Sequence, residues 1–131
     1  MSAREQLVAA VVAHLKAHPP LVEMAVFDAP PVRRAAPFAL VEEPVLTDWS
    51  GTGWTGREGR LTVTLRDEGE RPLRLRTLLA TVEERVPTLP TALGKGWRLV
   101  QLRLVRSRLV SGGGGWSAGA EFGVRMYREH G

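Results

Sequence analysis

The sequence contains no cysteine. Disulfide staples, thiol nucleophiles and thiolate metal sites are therefore excluded, and the fold must rest on packing and hydrogen bonds. Lysine is nearly as scarce, since 16 of the 18 basic residues are arginine and only Lys16 and Lys95 remain. Arginine favours planar, bidentate pairing at interfaces and on phosphates. A GC-rich coding sequence, which also enriches Ala, Gly and Pro, produces the same bias. No apolar run approaches the roughly 20 residues of a membrane span. The opening residues Ser2, Ala3, Arg4 and Glu5 lack the apolar segment of a signal peptide, so synthesis in a cytoplasm is expected. What is present is ordinary for one domain over residues 1–131: 44% hydrophobic and 24% charged residues, with a net charge of +4.

Hydrophobic periodicity supplies the elements. Ser2 followed by Glu5 makes a capping box, and Leu7, Val8, Val11, Val12 and Leu15 recur at helical spacing until Pro19-Pro20 stops the run. Two short apolar stretches, Leu21 to Phe27 and Phe38 to Val41, read as strands on either side of a loop with Pro30-Pro31 and Arg33-Arg34. Arg60 to Arg66 alternates, with Leu61, Val63 and Leu65 on one face and Thr62 and Thr64 on the other. Pro72 opens a second helix whose stripe is Leu75, Leu78, Leu79, Val82 and Val86. Trp97 to Val110 is a long strand in which the adjacent Leu104 and Val105 indicate a bulge. A turn at Gly112 to Gly115 then returns the chain as an alternating strand from Trp116 to Met126. The expected fold is α+β: a single domain in the order αβββαββ, mainly antiparallel, with two helices packed on one face of the sheet.

Three motifs suggest chemistry, and each fails on context. Gly51-x-Gly53-x-x-Gly56 has dinucleotide-loop spacing, but it leads into a strand, whereas the phosphate-binding fingerprint opens a helix. A kinase-type glycine loop needs a lysine on the following strand, and Arg60 to Arg66 has none. Gly115-Trp116-Ser117-Ala118-Gly119 matches a nucleophile elbow, yet Ser117 begins a strand, no aspartate follows Asp67, and the downstream histidine is His130 near the end. His14 and His18 stand four apart on the first helix without a third ligand in view, and His18 suits a helix C-terminus. No catalytic residue, cofactor or metal is assigned. Two readings of the glycine segment remain. It is a long mobile inter-strand loop, or an interaction loop in which Trp49, Gly51, Gly53, Trp54, Gly56 and Arg57 form an assembly arm that adds little to the core. Arg103, Arg106 and Arg108 are expected to reach solvent or a neighbour from a strand edge.

Taken in order, the opening helix, "VFDAPP" at Val26 to Pro31, "APFALVEE" at Ala36 to Glu43, "DW" at Asp48-Trp49, "TGREGRLTVTL" at Thr55 to Leu65 and "GWRLVQLRLVRSRLV" at Gly96 to Val110 resemble the small phage tail-completion proteins. This is the family of tail terminators and head–tail joining proteins also found in gene transfer agents. The resemblance spans nearly the whole chain. It implies a structural, non-enzymatic virion protein that forms a ring, usually hexameric, on the head-proximal end of the tail tube. Its partners would be further copies of itself, the tail tube protein and the head–tail connector, with DNA passing through the channel unread and no membrane involved. The competing class is a small basic nucleic-acid-binding module, suggested by the sequence pI of about 10.6 and by arginines beside tryptophans.

Overall fold

The computed structural model describes residues 2–18, 24–29 and 36–130. Helix α1 runs Ala3–Lys16 and begins where the capping box places it, with Ser2 Oγ accepting the Glu5 N–H at 3.2 Å. Leu7, Val8, Val11 and Leu15 are buried along one stripe. Strands β1 (Ala25–Phe27), β2 (Phe38–Val41), β3 (Val45–Asp48) and β4 (Trp54–Glu68) precede helix α2 (Leu73–Arg85). A 3-10 turn at Val86–Thr88 leads to β5 (Ala92–Gly94), β6 (Trp97–Gly112) and β7 (Gly115–Glu129). The expected five strands are thus seven among the described residues. The two additional ones, β3 (VLTD) and β5 (ALG), are as short as β1 and β2 but hold only two apolar residues each, too few to form an apolar run. Leu21 to Glu23 and the Pro30-Pro31 and Arg33-Arg34 loop lie outside the described residues.

All strands form one sheet in the order β1-β2-β4-β7-β6-β5, with β3 paired to β4 beside β2. The β1–β2 pair is parallel and every other pair is antiparallel. Three long strands dominate: β4 pairs with β7 from Trp54↔Glu129 to Glu68↔Gly115, and β7 pairs with β6 along nearly the whole hairpin. Because side chains alternate, one face of these strands carries Leu61, Val63, Leu65, Ala118, Ala120, Phe122, Val124 and Met126, all buried. They join α1's Leu7 and Leu15 and α2's Leu75 and Val82 in a single cluster, the core face of the sheet. The opposite, outer face carries Thr62, Thr64 and Arg66 from β4 and Ser117, Gly119, Glu121, Gly123 and Arg125 from β7.

The bulge expected at Leu104 and Val105 is present as a register shift between Leu104 and Arg106, and a second falls between Leu99 and Gln101. Between the two bulges Leu102 and Leu104 face Val124 and Phe122 on the core face, and beyond them Arg106 and Arg108 face Glu121 and Gly119 on the outer face. At the far end Gly113 and Gly114 have φ of 61° and 78°, the pair of left-handed residues that a two-residue type I′ hairpin demands. Asp67 ties the end of β4 to the start of α2. Its buried carboxylate accepts Arg74 Nε at 2.8 Å, Arg74 Nη2 at 2.6 Å and the Glu68 N–H at 2.8 Å. The Arg74 hydrogen bonds hold the Asp67 carboxyl below the usual aspartate range.

Candidate assembly interface

The glycine segment is a folded hairpin tip. Strand β4 starts at Trp54, so half of the expected loop is strand, and β3 pairs with its first residues from Val45↔Arg60 to Asp48↔Arg57. Gly51 and Trp54 exchange backbone hydrogen bonds of 3.2 and 3.3 Å around a turn in which Gly53 has φ of 83°. Further bonds close the tip: Trp49 N–H to Gly56 O at 2.9 Å, Gly56 N–H to Ser50 Oγ at 3.0 Å, and His130 N–H to Gly53 O at 2.8 Å. Asp48 accepts from Ser50 Oγ at 2.6 Å and from Arg57 Nη1 at 3.1 Å. The segment is thus a hydrogen-bonded hairpin tip, and no residue from Ser50 to Gly59 belongs to the buried core cluster.

The glycines are spacers for tryptophan. A Cβ at Gly51 would lie 2.6 Å from the Trp54 ring, and one at Gly56 would lie 2.3 Å from the Trp49 carbonyl oxygen. With those atoms absent, Trp54 stands edge-on to Trp49 at 5.1 Å and to Tyr127 at 6.2 Å, and the Arg125 guanidinium sits 5.2 Å from the centre of the Trp49 ring. The three aromatic residues, with Val100 and Glu129, line an open niche of about 230 Å³. That is smaller than the roughly 300–1,000 Å³ of a small-molecule site. Composition could not reveal that Tyr127 and Arg125 complete this cluster, because only the pairing of β7 with β4 brings them there.

Arg103, Arg106 and Arg108 are all exposed on β6. They project on the outer face, opposite Gly123, Glu121 and Gly119. Arg106 Nε binds Glu121 at 3.1 Å, and Arg60 shares the same carboxylate at 3.3 Å. Arg125 pairs with Glu58 at 3.5 Å. Arg103 and Arg108 have no ion-pair partner among the described residues. Arg66 lies flat over the hairpin turn, donating to Gly112 O at 2.9 Å, Gly113 O at 2.6 Å and Ser117 Oγ at 3.0 Å. Ser117 is thereby an acceptor on a regular strand, far from the strained geometry of a nucleophile. His14 bonds Arg85 O at 3.2 Å and Thr88 Oγ1 at 3.0 Å, joining α1 to the end of α2. Burial, with the nearby Arg85 charge, pulls its pKa below 6.5. Among the described residues no cluster of three or more potential metal ligands occurs.

The outer side of β6 is open. From Val100 to Gly112 no described strand pairs with it, β5 reaching only as far as Trp97 and Arg98. Val100, Val105 and Val110 are 55%, 38% and 50% exposed along this margin, and Val45 on β3 is 70% exposed at the opposite one. Long unpaired margins with apolar side chains are sites of strand addition, which soluble monomers normally blunt.

Fold and surface together define a small α+β protein with an aromatic hairpin tip, an arginine-bearing sheet face and an open strand margin. The chain belongs to the tail completion protein gp17 family, whose model matches residues 9–126, and it is on that ground a structural protein of a phage-like tail. Twenty-five chains of solved structures match it. One, from the "virion of native gene transfer agent (GTA) particle", aligns with a TM-score of 0.82 at 23% identity, over 97% of this chain and 99% of the other. No curated protein matches.

Proposed function

We propose that this protein is a non-enzymatic virion component that closes a phage-like tail. Copies form a hexameric ring on the head-proximal end of the tail tube, stop tube growth and present a face to the head–tail connector, with DNA passing through the central opening. The observation that supports this reading is the end-to-end likeness to a chain of a gene transfer agent virion, 97% of one and 99% of the other. The surface fits the role, because an open strand margin and exposed valines suit contacts between identical subunits. The aromatic tip, with Trp49, Gly51, Gly53, Trp54, Gly56 and Arg57, is the part of this surface we assign to the tube or the connector. A preformed cluster of half-buried aromatic rings around an open niche is the composition of a protein-binding hot spot.

The test is tube capping. Tail tube protein polymerised with the purified chain is expected to give shorter tubes bearing a ring at one end in electron micrographs. Tubes of unchanged length with bare ends would overturn the assignment. Trp49→Ala, which keeps the hairpin hydrogen bonds of the tip, is expected to form rings that fail to settle on tubes.

A further inference from the structure

We infer that neighbouring copies join by antiparallel strand addition, residues 100–106 of β6 in one copy pairing with β3 and the adjoining Glu42 in the next, a stretch that no other described strand covers and that ends where β1 lies outside β2. This inference rests on the ring reading and specifies its interface. Strand direction permits it. β3 is antiparallel to β4, β4 to β7, and β7 to β6, so β3 and β6 run in opposite directions at opposite margins of one sheet. Rotation about an axis parallel to the strands preserves direction and keeps the outer face on the same side. The β6 of one copy and the β3 of the next then meet as an antiparallel pair with matching faces. The contact uses two different surfaces, the head-to-tail kind that closes into rings.

Height along the strands fixes the register. Val45, Arg60, Gly123 and Arg103 stand in one row across the sheet. Glu42 donates its N–H to Thr62, whose row continues through Glu121 to Arg106. In a ring without axial offset, Val45 of one copy is therefore level with Arg103 of its neighbour, and Glu42 is level with Arg106. The β6 bulge after Leu104 and the bend at Glu42–Pro44 each insert one residue between these positions, so all four side chains stay on the outer face. Charge selects this partner over a two-fold pairing of β6 with itself. Self-pairing about Arg106 would set Arg106 against its own copy and Arg103 against Arg108, and like charges directly opposite one another destabilise a sheet. The β3 side instead offers Glu42, the neighbouring Glu43 being held by Arg4 of its own copy at 3.1 Å.

Cysteine cross-linking tests the register without background, because the chain has no cysteine of its own. Residues opposite one another in an antiparallel pair have Cα atoms about 4.5–5.5 Å apart, within the roughly 4.4–6.8 Å that a disulfide spans. Inside one copy β4 and β7 separate the two margins by roughly 14 Å of sheet. Val45→Cys with Arg103→Cys in one chain is expected to give, on mild oxidation of assembled protein, a ladder of covalent multimers ending in one closed species. Each single variant stays monomeric on a denaturing gel. Glu42→Arg, which sets a cation against Arg106, is expected to lower the ring fraction several-fold with unchanged thermal unfolding. Rings that form without the double-variant ladder would overturn this interface and leave the ring reading standing. Dimers from Arg106→Cys alone would replace it by β6 self-pairing. If no ring forms in solution or on tube ends, both readings fall together.

Discussion

At the scale of single residues, the glycines of the hairpin tip are the sharpest case, because their spacing suggests a nucleotide and their surroundings explain them by sterics. A Cβ at Gly59 would stand 1.8 Å from the Val45 carbonyl oxygen, a backbone atom that cannot swing aside, whereas Gly53 has open space and only its φ of 83° to satisfy. Gly59→Ala is therefore expected to be strongly destabilising, and Gly53→Ala to cost about 1 kcal/mol, the price of a left-handed residue. Urea unfolding of the two variants checks that order. Trp54→Ala removes a half-buried ring in contact with Trp49 and Tyr127, and a loss of about 1–3 kcal/mol is expected by the same measurement. A variant as stable as the parent would support an arm that adds little to the core. Two titrating groups add a pH signature. Asp67 has a lowered pKa from its Arg74 hydrogen bonds, so its contribution is complete above the ordinary 3.8 and is lost as pH falls through the folded value. Asp67→Asn is expected to lower Tm at neutral pH, with the difference closing in strong acid. His14 is also lowered, but as a base: its contribution is present above 6.5 and is lost as pH falls below it, because the unfolded chain takes up the proton first. His14→Gln is expected to flatten Tm against pH in that window.

At the scale of elements, the β6–β7 hairpin shows what a turn sequence can specify. Gly113 and Gly114 both occupy the left-handed region, so Asn-Gly in their place is expected to fold with an equal or slightly higher Tm, since asparagine tolerates the first position and narrows the unfolded ensemble. Val-Val there is expected to shift the register or lower Tm by several degrees. This hairpin was legible beforehand, and the reason is physical. Long strands with one buried face must alternate, so Leu61 to Leu65 and Ala118 to Met126 identify both the strands and their inward sides. The caps of α1, the stripe of α2 and the bulge at Leu104 were equally local. β3 and β5 escaped because each holds only two apolar residues, whereas the equally short β1 and β2 are apolar throughout. β4 was read as starting late, because Gly56 and Gly59 resemble loop residues until it is known that Trp49 and Val45 press against them. In the candidate interface, Trp49, Trp54 and the three β6 arginines could be named from composition and pattern. Tyr127, Arg125, Glu58 and Glu121 could not, since they reach the site through pairings between strands some 60 residues apart in sequence.

At the scale of the whole molecule, charge placement separates an assembly protein from a nucleic-acid binder. Eighteen basic residues against 14 acidic ones is a modest surplus, and the outer face spends part of its arginine on its own carboxylates. Arg60 and Arg106 converge on Glu121, Arg125 is held by Glu58, and Arg66 is engaged by backbone oxygens of the hairpin turn. Among the described residues of that face, Arg98, Arg103 and Arg108 are left without an ionic partner and Arg66 is held by uncharged oxygens alone, too few for the phosphate contacts that make a tight complex. Each neutralised phosphate contributes about −0.9 to the slope of log K against log salt, so a chain that engages only a few has both weak affinity and a shallow slope. The isolated protein is therefore expected to bind double-stranded DNA no more tightly than the roughly 10⁻⁴–10⁻⁶ M of nonspecific complexes at physiological salt. Fluorescence anisotropy with a labelled duplex over a salt series measures both quantities. A sub-micromolar Kd with a steep slope from the unassembled chain would favour the nucleic-acid module. A weak, shallow interaction that strengthens only when rings are present is the behaviour of a protein whose arginines meet DNA collectively, around a channel.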